Sequence, residues 1–116
     1  MANPKRDDIQ AIGVAGKVKH AAIDIASSGD NTVVAAVSGK KLRVVSINFV
    51  CATAVTVTIK SGASTSLTGG MAFGANGGIA PGIFPDGHFE TAAGEAFVMN
   101  LSDAVSVDGW LKYVEV

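Results

Sequence analysis

The chain has 116 residues, enough for a single domain with one modest hydrophobic core. Its net charge of −1 argues against a general nucleic-acid or membrane-surface binder, because such proteins carry an excess of basic residues. Charged residues make up only 16% of the chain, below the roughly one quarter that is usual in soluble domains. We therefore expect either a sparingly soluble chain or one whose surface is largely covered by partner proteins.

Residues 1–16 differ from the rest of the chain and predict an extended N-terminal arm. They mix charges, a proline and small residues without a clean period. The alternatives are a disordered tail and a short helix over residues 7–12, which Gly13 and Gly16 would end. We expect a partner to hold the arm in place. The candidate partner-contact residues of the arm are Pro4, Lys5, Arg6, Asp7, Asp8, Ile9 and Ile12.

Residues 17–116 predict one β-domain made of short strands between turns. Apolar residues alternate over residues 21–25, and a turn at residues 27–31 leads into a second strand that ends near residue 37. In the third strand, residues 41–52, Leu42 and Val44 start one alternating set and Val45 starts another. A change of phase by one residue predicts a β-bulge.

The second half of the chain continues this pattern. Residues 54–60 alternate most clearly, and residues 87–91 and 96–102 predict two further strands. Asp108-Gly109 is typical of either a hairpin turn or a bulge within one long strand. With about eight antiparallel strands and no convincing helix after the arm, we predict an all-β fold, a single β-sandwich or jelly-roll-like domain.

Residues 67–87 hold seven of the 14 glycines and a single charge, Asp86. The spacing of Gly69 and Gly74 fits a phosphate-binding loop, but Ala75 and Asn76 stand where Lys and Ser or Thr are required. We therefore expect no cofactor and interpret the segment as a tightly turned, uncharged connection. The bulky apolar residues of this segment, together with Trp110, are candidate oligomer or partner contacts: Met71, Phe73, Ile79, Ile83, Phe84 and Trp110.

The sequence predicts neither a catalytic nor a metal site. Cys51 lies in an apolar run and is expected to be a buried thiol, while His20 and His88 are too few and too scattered for a zinc site. A metal shared between subunits through His88 remains an alternative. Most carboxylates fall in turns, where they bond their own backbone. Trp110, near Lys112 and Tyr113, is either a packing or interface residue or a small sugar-binding platform.

Three segments, residues 27–50, 54–69 and 87–116, carry a resemblance to a known group of proteins. Their most specific motifs are FETAAGEA at 89–96, the NLS-x-A-V-x-V-x-G pattern at 100–109 and the terminal YVEV. Together they resemble small structural proteins of tailed bacteriophages and prophages, and most of all head decoration, or cement, proteins. The resemblance covers roughly residues 20–116 and does not extend to the arm.

The resemblance implies a non-enzymatic virion protein, made in the host cytoplasm, that lies on the outer surface of the phage head. Such proteins are small β-rich domains, often trimers, which bridge neighbouring major capsid subunits. The implied partners are the phage major capsid protein, for which the seven arm residues named above are the candidate capsid-binding residues, and other copies of the chain, with a homotrimer favoured. From the net charge we expect neither nucleic acid nor a membrane as a partner. The alternatives are a tail, collar or fibre-associated virion β-domain and a carbohydrate-binding module.

Overall fold

A computed structural model describes residues 17–116, which form ten β-strands. The predicted arm, residues 1–16, and its seven candidate capsid-binding residues lie outside the described residues. The strands are β1 Lys19–Ile25, β2 Gly29–Val34, β3 Leu42–Cys51, β4 Val55–Ser61, β5 Thr65–Ser66, β6 Met71–Phe73, β7 Gly78–Ile79, β8 Phe89–Glu90, β9 Phe97–Leu101 and β10 Val107–Glu115. Residues 17–116 contain no helix, and so none of the length and hydrophobicity needed to cross a membrane.

The strands form two five-stranded antiparallel sheets, as expected for a β-sandwich. Sheet A has the order β1-β10-β3-β7, and β8 pairs with the other end of β3. Sheet B has the order β2-β9-β4-β5, and β6 pairs with the other end of β4. The long strands carry alternating apolar residues whose inward side chains meet between the sheets. The all-β prediction is therefore confirmed.

Four of the ten strands are only two or three residues long, and they lie end to end in pairs. β5 and β6 follow each other along β4, and β7 and β8 follow each other along β3. If each end-to-end pair is counted as one strand position, which we call a track, the described residues form eight tracks, four in each sheet. The first four tracks pair with the last four in reverse order, so that the first track neighbours the last and the fourth neighbours the fifth.

The interpretation of residues 67–87 as a connection is wrong in part, because β6 and β7 lie within it. Met71, Phe73 and Ile79 are half-buried and pack on the edge of the core. Gly78 permits the close approach of β7 to β3, since a Cβ at this position would overlap the carbonyl oxygen of Phe49. The packing of three apolar side chains on the core edge and the small size of Gly78 therefore favour two short strands within this uncharged segment.

The hydrophobic core lies between the sheets and takes its bulk from β3, β4, β9 and β10. Phe49, Ile59, Phe97 and Leu111 are all at most 2% exposed. Each such side chain contributes about 1.5–3 kcal/mol by leaving water. The predicted burial of Cys51 is confirmed as well. Because these residues fix which face of each strand points inward, they also fix which residues point away from the core.

The predicted bulge in β3 is confirmed, but one residue of the predicted inward set points elsewhere. Ser46 lies opposite Lys112 and Val44 opposite Tyr113, so Val45 is the extra residue. Contrary to the prediction, the side chain of Val45 does not join the main core. It packs with Val114 and Val18 in a second small cluster. The bulge turns its side chain to the opposite face of sheet A.

Asp108 and Gly109 form neither a hairpin turn nor a bulge. β10 runs through them without a break, with Asp108 opposite Val50 and Gly109 opposite Phe49. A Cβ at position 109 would overlap the carbonyl oxygen of Asn48. Glycine therefore lets β10 lie close to β3, and the single long strand keeps one alternation from Val107 to Lys112.

Candidate interaction surface on sheet A

The outer face of sheet A presents three rows of side chains across β1, β10 and β3. Core residues such as Ile23, Leu111 and Phe49 point inward, so their neighbours along each strand point outward. The strand register then sets the rows. The rows are acidic (Asp24, Asp108 and Val50), central (Ala22, Trp110 and Asn48) and basic (His20, Lys112 and Ser46).

A shallow groove of about 220 Å³ opens on this face beside Trp110. We call it the Trp110 groove; its lining residues are Asn48, Phe49, Val50, Ile79, Ala80, Asp108, Gly109 and Trp110. Trp110 is 47% exposed and Val50 is 53% exposed. An indole and an isopropyl group side by side on a strand face form an apolar surface of the kind that partners cover.

Asp24 and Asp108 face each other across β1 and β10 at the acidic row. Partial desolvation raises the pKa of the Asp108 carboxyl, and the hydrogen bond and negative charge of Asp24 raise it further. The ion pairs within residues 17–116 join Lys19 to Glu115, Lys41 and Arg43 to Glu90, and Lys60 to Asp30. None of them includes Asp24 or Asp108, so the two carboxyls have no neutralising cation within this part of the chain.

The loop of residues 80–88 flanks β3 beside this face and exposes two bulky apolar residues. Ile83 is 53% and Phe84 is 49% exposed. The loop is anchored because the backbone N–H groups of Phe84 and His88 donate to the carbonyls of Val45 and Val44, at 2.8 and 2.7 Å. The centre of the His88 ring lies 5.7 Å from that of the Phe84 ring. The loop that carries Ile83 and Phe84 is thus hydrogen-bonded to the backbone of β3.

The six predicted contact residues fall into two groups of three. Met71, Phe73 and Ile79 are half-buried, and Phe73 packs edge-to-face on Phe49 with ring centres 5.4 Å apart. They support the core from its edge, and Ile79 also lines the Trp110 groove. The other three, Ile83, Phe84 and Trp110, are exposed. Their role in an assembly stays a prediction.

We did not predict from the sequence that Val50, Asn48 and the pair of Asp24 and Asp108 belong to this surface. Residues 108, 110 and 112 read acid, tryptophan and base at alternate positions, which places them on one strand face. The signal becomes visible only when residues 107–115 are read as one strand. Tyr113 packs against the main core instead, so it does not share the face of Trp110 in a sugar platform.

The outer face of sheet B has a different character, because polar side chains bond to one another across it. Lys60 contacts Asp30 at 3.0 Å, and the Asn100 side-chain amide donates to the same carboxyl at 2.8 Å. These two hydrogen bonds, first that of Asn100, lower the pKa of Asp30 below its usual value. The two outer faces therefore differ: one is polar and internally paired, and the other is apolar at its centre.

The remaining chemically active side chains are dispersed. Burial raises the pKa of the Cys51 thiol. Ser61 is buried, donates to Glu95 at 2.5 Å and accepts from the backbone N–H of Ala92, which ties two turns together. Within residues 17–116, no three His, Cys, Asp or Glu side chains are grouped so that they could hold a metal ion.

Comparison with known proteins gives no family for the chain. No protein-family model matches it, and neither a curated protein nor a solved structure matches it.

Proposed function

We propose that the protein is a non-enzymatic structural protein of a tailed-phage virion, a decoration or cement protein on the outer surface of the head. It binds there as a homo-oligomer, for which the resemblance favours a trimer, and stabilises contacts between major capsid subunits. The observation that carries this proposal is the contrast between the two outer faces, with Val50, Trp110, Ile83 and Phe84 exposed at sheet A. The resemblance of residues 27–50, 54–69 and 87–116 supplies the class of partner.

We further propose that the sandwich is a jelly roll. Numbered along the chain, the eight tracks have the order 1-8-3-6 in sheet A and 2-7-4-5 in sheet B. Such an order arises when a long antiparallel hairpin is wrapped into two sheets, as in the double Greek key of jelly rolls. Viral capsid domains are among the proteins built this way, and this supports the proposal.

The proposed action is mechanical. Each copy gains a modest binding free energy from contacts across a capsomer boundary, and linkage of copies in an oligomer raises the apparent affinity of the whole. Arm residues such as Lys5, Arg6 and Ile9 are the proposed capsid contact. The loop with Ile83 and Phe84 is the proposed second contact, because both apolar side chains are exposed and the loop backbone is hydrogen-bonded to β3.

Quantification of the protein in purified particles tests the proposal. A copy number comparable with that of the major capsid protein, with density on the outer shell, is expected for a decoration protein. A few copies at the tail or collar would point to the alternative virion role. Absence from intact particles would overturn both.

Variants separate the two proposed contacts. Deletion of residues 2–15 is expected to abolish capsid binding and to leave the β-sandwich folded by circular dichroism. Ile83→Ser with Phe84→Ser is expected to weaken binding, since both side chains are about half exposed and carry little of the core. Val116→Ser, which removes another exposed apolar side chain, is the matched control. If the arm deletion and the loop variant both occupy the capsid fully, the assignment of the arm and the loop as capsid contacts is contradicted.

The carbohydrate-binding alternative has one observation in its favour, the half-exposed indole of Trp110 beside Asn48 and Asp108. Aromatic stacking with two hydrogen-bonding side chains is what sugar recognition needs. The rest of the groove is lined by Val50, Ile79 and other apolar groups, which offer no partner to sugar hydroxyls. A glycan array with Trp110→Ala as control tests this alternative.

A further inference from the structure

The three rows on the outer face of sheet A form a pattern that can complement itself. On β10, Asp108, Trp110 and Lys112 project outward in that order. On β1, Asp24 and His20 stand beside Asp108 and Lys112, so both strands carry an acid at one end and a base at the other. The face has opposite charges at its ends and an indole in its middle.

These charges are not used within the described part of the chain. Asp24 and Asp108 oppose each other, which destabilises a cross-strand pair of like charges. Among residues 17–116, no ion pair includes Lys112 or His20. A partner that brings a base to the acidic row and an acid to the basic row would satisfy both ends.

We propose that this partner is a second copy of the chain, packed with its own sheet A against the first about a two-fold axis. The axis lies in the interface, perpendicular to β10, at the level of Trp110. Asp108 then meets Lys112 of the second copy, and Asp24 meets His20 of the second copy. Trp110 packs against Trp110 of the second copy, and each contact is made twice, as in any isologous interface.

The charges select this axis among the possible two-fold arrangements. A two-fold axis parallel to the strands and through Trp110 would place Asp108 over Asp108 of the second copy and so bring like charges together at the acidic row. At both ends the perpendicular axis pairs Asp108 with the opposite charge of Lys112, and Asp24 with the imidazole of His20. Face-to-face packing of sheets at about 10 Å is a standard geometry, and it leaves room for an aromatic pair at the centre.

The size of the surface sets the expected affinity. Three strands over seven residues give a face about 14 Å wide and 23 Å long. That is less than the roughly 800 Å² per partner of a standard interface, even though the flanking loop with Ile83 and Phe84 can add to it. A central tryptophan is a favoured hot spot. We therefore expect a dimer with a dissociation constant of about 1–100 micromolar.

This pairing needs no capsid and is independent of the proposed virion role. A two-fold contact produces an even number of chains. The trimer favoured by the resemblance is compatible with it only as a pair of trimers. Failure of the pairing would therefore leave a decoration role intact, and failure of particle binding would leave the pairing intact.

The first test is the mass of the full chain by light scattering and sedimentation. Two chains, or six, in a particle that dissociates on dilution would support the proposal, whereas one or three chains at about 100 micromolar would overturn it. Trp110 is the only tryptophan, so its fluorescence reports on this face directly. Acrylamide quenching should decrease as concentration rises through the dissociation constant, and quenching that is the same at all concentrations would overturn the proposal.

Charge exchange provides the sharper test. Asp108→Lys alone and Lys112→Asp alone each bring like charges together across the axis, so each should weaken association at least about tenfold. The combination of the two substitutions restores opposite charges and should return the dissociation constant to within about threefold of the original. Lys40→Asp, at an exposed turn, is the matched control.

Shielding of the buried Cys51 thiol from a thiol reagent verifies that each variant is folded. Single variants that associate normally, or a folded double variant that stays dissociated, would overturn the pairing. Should a single variant fail to fold, the mass and quenching results on the unaltered chain decide the question.

Discussion

Lys60 Nζ lies 3.0 Å from Asp30 Oδ1, although their strands, β4 and β2, are separated by β9. Asn100, on β9 between them, donates to the same oxygen at 2.8 Å. Lys60 is the only charged residue between positions 44 and 85. The structure uses this single charge to connect three strands of sheet B across their outer face.

Lys60→Met should lower the free energy of unfolding modestly. The substitution keeps most of the apolar stem and removes the charge, so it isolates the ion pair. Because Asp30 is partly exposed, we expect a coupling of about 0.2–1 kcal/mol with Asp30→Asn in a double-mutant cycle. Urea unfolding measures it, and Lys40→Met at an exposed turn is the control. Strictly additive single effects would show that the pair contributes nothing.

The Asp30 carboxyl should make stability depend on acid pH. Its pKa is lowered in the native state, first by the hydrogen bond from Asn100 and then by Lys60. The unfolded chain therefore binds this proton more tightly, and stability rises with pH across that window. The contribution is fully present above about pH 4 and is lost as pH falls through the lowered pKa. Unfolding free energies between pH 2 and 6 should show a smaller acid loss for Asp30→Asn, and parallel curves would contradict this.

Thr91→Val should be costly despite its similar shape. The buried Thr91 hydroxyl accepts a hydrogen bond from the backbone N–H of Leu42 at 2.9 Å. Loss of the oxygen leaves that buried N–H without a partner, which costs about 1–3 kcal/mol. Thr91→Ser keeps the acceptor and removes only a methyl group, so it should cost about 0.8 kcal/mol. Equal destabilisation of the two variants in urea would rule out the hydrogen bond as the cause.

Gly109→Ala should disrupt the centre of sheet A. Its Cβ would overlap the carbonyl oxygen of Asn48, so β10 and β3 would have to separate. Overpacking of this kind costs about 1–3 kcal/mol. Gly69→Ala is the control, because no atom lies within 4 Å of a Cβ there and its φ is not positive. A melting temperature unchanged by Gly109→Ala would show that the strands yield without strain.

Local alternation was enough to predict the longer strands. β1, β4 and β9 each place apolar residues two apart, and each of these strands buries the expected face. Of the short strands, β8 lies within the strand predicted over residues 87–91, whereas β5, β6 and β7 gave no such signal, because a segment of two or three residues has no measurable period. They exist through pairing with β3 and β4, which is set by residues far away in sequence.

The candidate surface was predictable only in part, because exposure is a tertiary property. Phe73 and Phe84 look alike in sequence, yet Phe73 packs on Phe49 and Phe84 is half exposed. The acidic row needs the register that brings Asp24 beside Asp108, and local sequence does not contain that register. The bulge at Val45 shows the same limit, since the phase change was visible but the direction of its side chain was not.

The reverse-order pairing of the chain has a consequence for biosynthesis. β9 and β10 are the last of the ten strands to leave the ribosome, yet each lies inside its sheet, between β2 and β4 or between β1 and β3. Until they emerge, the N-terminal strands lack their central partners, and neither sheet can close. Folding of the sandwich must therefore wait until both strands have emerged, and a nascent chain held before residue 97 should remain sensitive to protease.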